Sequence, residues 1–334
     1  MNTRGTRQST LLRRLGQALA RHLPAAAAGD PRGVHQARVT SRRLREAVPV
    51  LATGLKGSRA RKATRKIRRL TGALGSVREL DVTLTILDEL AAESGVPRSA
   101  VEEVRAGVVH ERAVRRGVML KRLGRVDLER LGRRLSSVEA ALQDAPEQPW
   151  RKALGHRLLR RSRRFGAAMT AAGHMYSPDR LHEVRIAAKK LRYGLELAAE
   201  AGVSQVRPHV RAIKRLQDLL GKLHDLQVLQ SHVAAAQISR DPGRPDARTA
   251  LERLASHVES RCRHLHGKYL SLSPALGGLP DIIRHAVVPG LMPPVERPPL
   301  KMGLPVPLRT AASQTRVARD RRAAGAPVRA RAAR

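Results

Sequence analysis

The stretch VHQARVTSRRLR, Val34 to Arg45, returns later in the chain as LHEVRIAAKKLR, Leu181 to Arg192. At about 100° per residue, His35, Arg38, Arg42 and Arg45 fall within one arc of about 80°. Ala37, Leu44, Val48 and Leu51 fall on the opposite side, the face that a helix turns to a core. The second copy repeats both faces, with His182, Arg185, Lys189 and Arg192 set against Val184, Leu191, Leu195 and Ala198. The period is that of a helix, and its recurrence makes the fold a duplicated one.

Outward from this stretch the duplication widens. At the same offset Leu12-Arg13-Arg14 matches Leu159-Arg160-Arg161. One deletion later, IRRLTGALGSVREL (Ile67 to Leu80) matches IKRLQDLLGKLHDL (Ile213 to Leu226). Leu, Ala, Arg and Glu dominate, and no β-branched alternation is sustained. Pro and Gly clusters interrupt the pattern at Pro24 to Gly33, Gly54 to Gly57, Ser94 to Pro97 and Asp241 to Pro245. QDAPEQP, Gln143 to Pro149, reads as the linker between halves. The expected fold is therefore all-α: two tandem, pseudo-symmetric four-helix bundles over residues 1–145 and 146–275. Half of the 20 prolines lie from Pro274 onward, among Ala and Arg. That composition cannot offset its ordering entropy by burial, so residues 276–334 are expected to form a mostly disordered tail.

Charge narrows the function. The chain carries 65 Lys+Arg against 28 Asp+Glu, a formal net charge of +37. Such an excess repels itself unless an anion compensates, which points to nucleic acid, anionic membrane or polymeric phosphate. One Trp, one Phe and three Tyr leave almost no platform for stacking bases. The composition favours a reader of phosphate backbone over a reader of bases. Cys262 is alone, which excludes an intrachain disulfide framework and a Cys-based zinc site. No apolar run approaches the ~20 residues of a membrane span, so a cytoplasmic, non-membrane location is expected. The acid-free N-terminus, Met1 to Leu23, reads as a first helix because its pattern recurs.

The two lanes are the candidate sites. Like charges at i,i+3 and i,i+4 repel, and four cations without an interleaved acid call for an external anion. A histidine heads each lane and can donate hydrogen bonds to an oxyanion. The second repeated block adds Arg65, Arg68 and Arg69, matched by Arg211, Lys214 and Arg215. Glu79, Asp225 and Asp81 read as carboxylates that orient arginines through salt bridges. Neither lane histidine has a partner at metal-ligand spacing. Nor is there a phosphate loop, a Ser/His/Asp set or a Glu-x-Glu-x-Lys strand. The chain is expected to be a non-enzyme without cofactor or metal.

The pattern H-x-x-R-x-x-x-(R/K)-(R/K)-L-R, twice, each followed by Leu-Gly-x-x-(R/H)-(E/D)-Leu, resembles the conserved histidine α-helical domain, CHAD. The resemblance covers about residues 8 to 272. It implies two four-helix bundles with a basic groove between them, binding of inorganic polyphosphate, and association with polyphosphate granules in prokaryotic cells. The residues it carries over are His35, Arg38, Arg42, Arg43 and Arg45, then His182, Arg185, Lys189, Lys190 and Arg192. Two features depart from the family: Arg78-Glu-Leu-Asp81 stands where the first copy usually reads Arg-Asp-x-Asp, and the tail has no counterpart. The alternative partner is nucleic acid, held non-specifically, although no helix-turn-helix or zinc-finger pattern supports it.

Overall fold

Asp30-Pro31 and Ser177-Pro178 start the two histidine helices in the same way. In each case the polar residue accepts a hydrogen bond from a backbone N–H three positions on, and proline occupies the first turn. Both histidines therefore sit five residues past their cap, which gives the two lanes one register. The computed structural model describes residues 6–75, 77–238 and 245–292. Within them the chain is helical, with no strand. The long helices are α1 (Arg7–Ala27), α2 (Pro31–Leu51), α3 (Arg59–Ala73), α4 (Arg78–Ala91), α5 (Arg98–Gly124), α6 (Leu128–Leu142), α7 (Gln148–Ala172), α8 (Pro178–Glu200), α9 (Arg207–Ile238) and α10 (Pro245–Leu272). Among the described residues no helix is long and apolar enough to cross a membrane.

The repeat is visible in the elements. α7 and α8 answer α1 and α2, and α10 answers α5, while the single helix α9 answers α3 and α4 together. The first hairpin is tight: a Cβ on Gly33 would lie 2.6 Å from the Ala25 Cβ, so glycine sets the α1–α2 approach just ahead of His35.

The hydrophobic cores do not follow the two halves, contrary to the expectation of one bundle in each. The larger core takes side chains from α1, α2, α3, α6, α7, α8 and the first part of α9, including Leu44, Leu70, Trp150, Phe165, Leu191 and Ile213. The smaller core joins α4 and the start of α5 to the end of α9 and α10, through Leu87, Val104, Leu229, Leu254 and Cys262. Helix length is the reason. At 32 residues α9 spans about 48 Å, enough to feed both cores, with Leu216 in one and Leu229 in the other. α5 does the same, with Val104 in the smaller core and Leu123 in the larger.

The expected tail boundary at 276 also shifts. Short helices continue as α11 (Pro274–Gly277), α12 (Leu279–Ile282), a π turn (Ile283–Val287) and a 3-10 turn (Pro289–Leu291), packed chiefly on α7. Leu276, Leu279, Ile283, Val287 and Leu291 are buried in the larger core, and Arg151 donates to the Gly290 carbonyl at 2.9 Å. Pro274, Pro280 and Pro289 each lie in the first turn of a short helix, where a missing N–H costs nothing. The remainder of the tail expectation, 293–334, and most of the Asp241 to Pro245 cluster lie outside the described residues.

An ion pair ties the halves together. Arg161 of α7 pairs with Glu46 of α2, both side chains 12% exposed. Arg161 also donates to the Lys190 carbonyl at 2.6 Å, and Arg157 donates to the Glu46 carbonyl at 3.0 Å. These bonds fix α2 and α8 relative to each other, and those helices carry the two lanes.

Candidate functional site

The lanes meet. Arg38 and Arg42 of α2 lie close to Arg185 and Lys189 of α8, and Arg42 contributes to lowering Arg38, Arg185 and Lys189. Burial, then Arg185, Arg42, Arg38 and Arg192, push the Lys189 ammonium down to about 7. Burial, then Arg42, lower Arg38 to about 10, with Arg185 and Arg78 adding to the effect. A desolvated cluster of like charges destabilises its own charged state, and its members would regain proton affinity beside an anion.

Two carboxylates oppose this charge: Glu79 at the start of α4 and Asp225 in the middle of α9. They were expected to hold arginines by direct salt bridges. Neither does so among the described residues, and both act on the lane arginines through their charge. Asp225 is itself raised by burial, against the pull of Arg185 and Arg78. Asp81 does pair with an arginine, Arg112 of α5, at 2.6 Å.

The central arginines differ in how they are held. Arg38 donates from Nη1 to the Gly75 carbonyl at 2.7 Å, bridging α2 to the gap between α3 and α4. The Arg185 Nε is buried without a hydrogen-bond partner. His35 and His182 head the lanes as expected. His35 is lowered by burial first, then by Arg78, Arg38 and Arg42. His182 packs near His224 of α9, with ring centroids 5.0 Å apart. His224 is pushed down to about 4 by burial, Arg185 and His182.

Arg78 and His224 thus belong to the cluster, and the sequence reading did not assign them. Their signal was present, since they occupy the same variable position in the second repeated block. Other assigned residues lie elsewhere. Arg43 approaches Glu196 at 3.8 Å and Arg45 approaches Glu46 at 3.8 Å. Arg192 is held by Glu196 and Gln217, each at 2.7 Å, and Lys190 is exposed. Arg65 and Arg68 line a groove between α2 and α3, with Arg69 exposed nearby on α3. Arg211 lines a cavity walled by α1, α2, α8 and α9, while Lys214 and Arg215 are exposed on α9. The arrangement can bind an anion at the centre with four cations, two of them brought from each half.

Comparison with known proteins agrees with this architecture. The model of the CHAD domain family matches residues 10–234. No curated protein matches the chain. The structure resembles PptA from Streptomyces chartreusis, with a TM-score of 0.57 and 15% identity over 80% of this chain and 98% of that one. It is also similar to the CHAD domain from the plant Ricinus communis, at a TM-score of 0.49 and 21% identity over 85% of this chain and 90% of that one. The likeness to PptA is one of fold. The family match spans most of the chain, which belongs to the CHAD domain family.

Proposed function

We propose that this CHAD-domain chain binds inorganic polyphosphate in the cluster where its two lanes meet, and that it associates with polyphosphate granules in the cytoplasm. The observation that carries the reading is the convergence of Arg38, Arg42, Arg185 and Lys189, with Lys189 held down to about 7 by burial first and then by its cationic neighbours. An array that repels itself this strongly is suited to a ligand of repeating negative charge. Arginine can fork two N–H groups onto one phosphate, and the His35 and His182 rings flank the lane heads. The scarcity of aromatic residues counts against single-stranded nucleic acid, which needs stacking surfaces.

The test is titration of labelled polyphosphate at physiological salt, challenged with duplex DNA, for the wild type and for Arg38→Ala/Arg42→Ala/Arg185→Ala/Lys189→Ala. Tight binding by the wild type that DNA does not displace, and its loss in a folded quadruple variant, is the expected result. Unchanged binding in that variant would move the site elsewhere, and ready displacement by DNA would favour nucleic acid as the partner. The proposal is for binding without turnover, so release of orthophosphate during incubation would defeat that part.

A further inference from the structure

Two hollows in the molecule share a corresponding wall in the two repeats, the second being closed in addition by α1 and α2 of the first half. The α2–α3 groove, about 560 Å³, is lined by Pro49, Ala52, Arg61, Thr64, Arg65 and Arg68, among others. The cavity beside α8 and α9, about 430 Å³, is lined in part by Glu196, Ala199, Arg207, Val210 and Arg211. In repeat order these are the counterparts of Pro49, Ala52, Arg61, Thr64 and Arg65. Each hollow lies one turn beyond its lane, since Pro49 follows Arg45 and Glu196 follows Arg192 at the same spacing on the same helix face.

Their charges have diverged. In the first groove Arg61, Arg65 and Arg68 are exposed, have no ion-pair partner among the described residues, and share the lining with no carboxylate. In the second, Glu46, Glu196 and Glu200 enter the wall. Glu196 holds Arg192 at 2.7 Å and approaches Arg43, Glu200 pairs with Arg14, and Glu46 pairs with Arg161. Of the four arginines in that wall, Arg14 and Arg43 are already paired while Arg207 and Arg211 have no ion-pair partner among the described residues, and an entering anion would meet three carboxylates beside them.

We infer that a bound polyphosphate leaves the central cluster in one direction only, along the α2–α3 groove over Arg61, Arg65 and Arg68, the α8–α9 end being closed to it by Glu46, Glu196 and Glu200. The inference rests on the polyphosphate reading and adds a direction to it. Arg45, partly exposed and 3.8 Å from Glu46, stands between cluster and groove along α2. From Arg42 to Pro49 the helix rises about 10 Å, so an anion of three phosphates held at the centre does not reach the groove, and a long chain does. Favouring one exit by placing repulsive charge at the other is the usual way that a charged surface excludes the wrong register.

The experiment compares two charge-matched variants, Arg61→Ala/Arg65→Ala/Arg68→Ala and its repeat counterpart Arg207→Ala/Arg211→Ala/Lys214→Ala. Each is titrated with tripolyphosphate and with long-chain polyphosphate. All six side chains are exposed and alanine favours helix, so circular dichroism should show both variants folded. The α3 variant is expected to weaken long-chain binding about tenfold or more while leaving tripolyphosphate within about twofold. The α9 variant is expected to leave both ligands within about twofold. Glu196→Gln/Glu200→Gln should strengthen long-chain binding alone. Equal losses from the two triple variants, or a greater loss from the α9 variant, would overturn the inference. Failure of the wild type to bind either phosphate is a different result, and it would bring down the polyphosphate reading itself.

Discussion

The third helix of each repeat carries nearly the same residues, yet one copy is broken and the other continuous. In the first half α3 stops at Ala73 and α4 begins at Arg78, whereas α9 runs through the equivalent point without interruption. The first copy reads LTGALG, Leu70 to Gly75, with two glycines; the second reads LQDLLG, Leu216 to Gly221, with one. Each glycine weakens a helix by about 1 kcal/mol relative to alanine, so the first copy is the one that gives way. The break frees the Gly75 carbonyl, and Arg38 takes it. Arg185 faces an intact helix whose carbonyls are already bonded to their own amides, and its Nε stays unpartnered. Duplication thus kept both lanes but divided their work. One arginine braces the backbone, and the other keeps its donor free.

The largest effect expected of the site belongs to both lanes and sets the scale for the rest. Binding of a flexible polyanion through about eight contacts should fall with salt at a log–log slope of roughly −5 to −6, or about a thousandfold between 50 and 200 mM. A slope near −1 would mean that the lanes are not the contact surface. The lanes themselves should then separate. Arg185→Ala is expected to weaken polyphosphate binding by about tenfold or more, and Arg38→Ala by less, because part of Arg38 is committed to Gly75. Arg38→Ala should instead lower thermal stability, by about 1–2 kcal/mol, and Arg185→Ala should not. Equal affinity losses with equal melting temperatures would erase the division of work.

A finer difference lies one turn further along, where the first lane has Arg42 and the second has Lys189. With its free value near 7, Lys189 is charged in both free and bound protein below that pH. Above it, binding must recruit a proton, since the anion raises the ammonium's affinity for one. Polyphosphate affinity should hold steady just below pH 7 as far as this residue goes, then decline by up to about tenfold per unit above it. A guanidinium does not titrate in this range, so Lys189→Arg, which copies the first lane, should flatten the decline. Binding isotherms from pH 6 to 9 decide the matter.

The smallest effect is in the unliganded protein. Between about 7 and the ordinary lysine value the unfolded chain holds a proton that the folded Lys189 does not, so folding stability rises with pH in that window. Chemical denaturation of the wild type and of Lys189→Arg across pH 7 to 10 should show the rise in the first and a weaker one in the second.

Much of the centre was legible in the sequence. His35, Arg38 and Arg42, with His182, Arg185 and Lys189, could be placed on one helix face each because a period of 3.6 residues is a local property. What the wheel cannot give is the neighbour across the gap. Arg43, Arg45 and Arg192 point from the same motif, yet Glu46 and Glu196 engage them, and the meeting of α2 with α8 decides which carboxylates are near. Arg78 and His224 enter the cluster by the same tertiary route. The division of the cores escaped sequence reading for a related reason: Leu216 and Leu229 lie on one amphipathic helix, and nothing local says that they serve different cores. The segment from Pro274 to Leu291 was hidden by its prolines, although Leu276, Leu279, Ile283 and Val287 keep helical spacing.

The shared smaller core also has a consequence in time. Its first wall, α4 and the start of α5, leaves the ribosome with Leu87, Val101 and Val104 lacking their partners on α10. Those partners follow about 150 residues later, roughly 10–30 s at ordinary synthesis rates. For that interval the nascent chain carries an unsealed apolar face beside a surface rich in arginine, and the protein cannot finish folding one repeat at a time. Closure comes as a single late event, of high contact order, when α9 and α10 arrive.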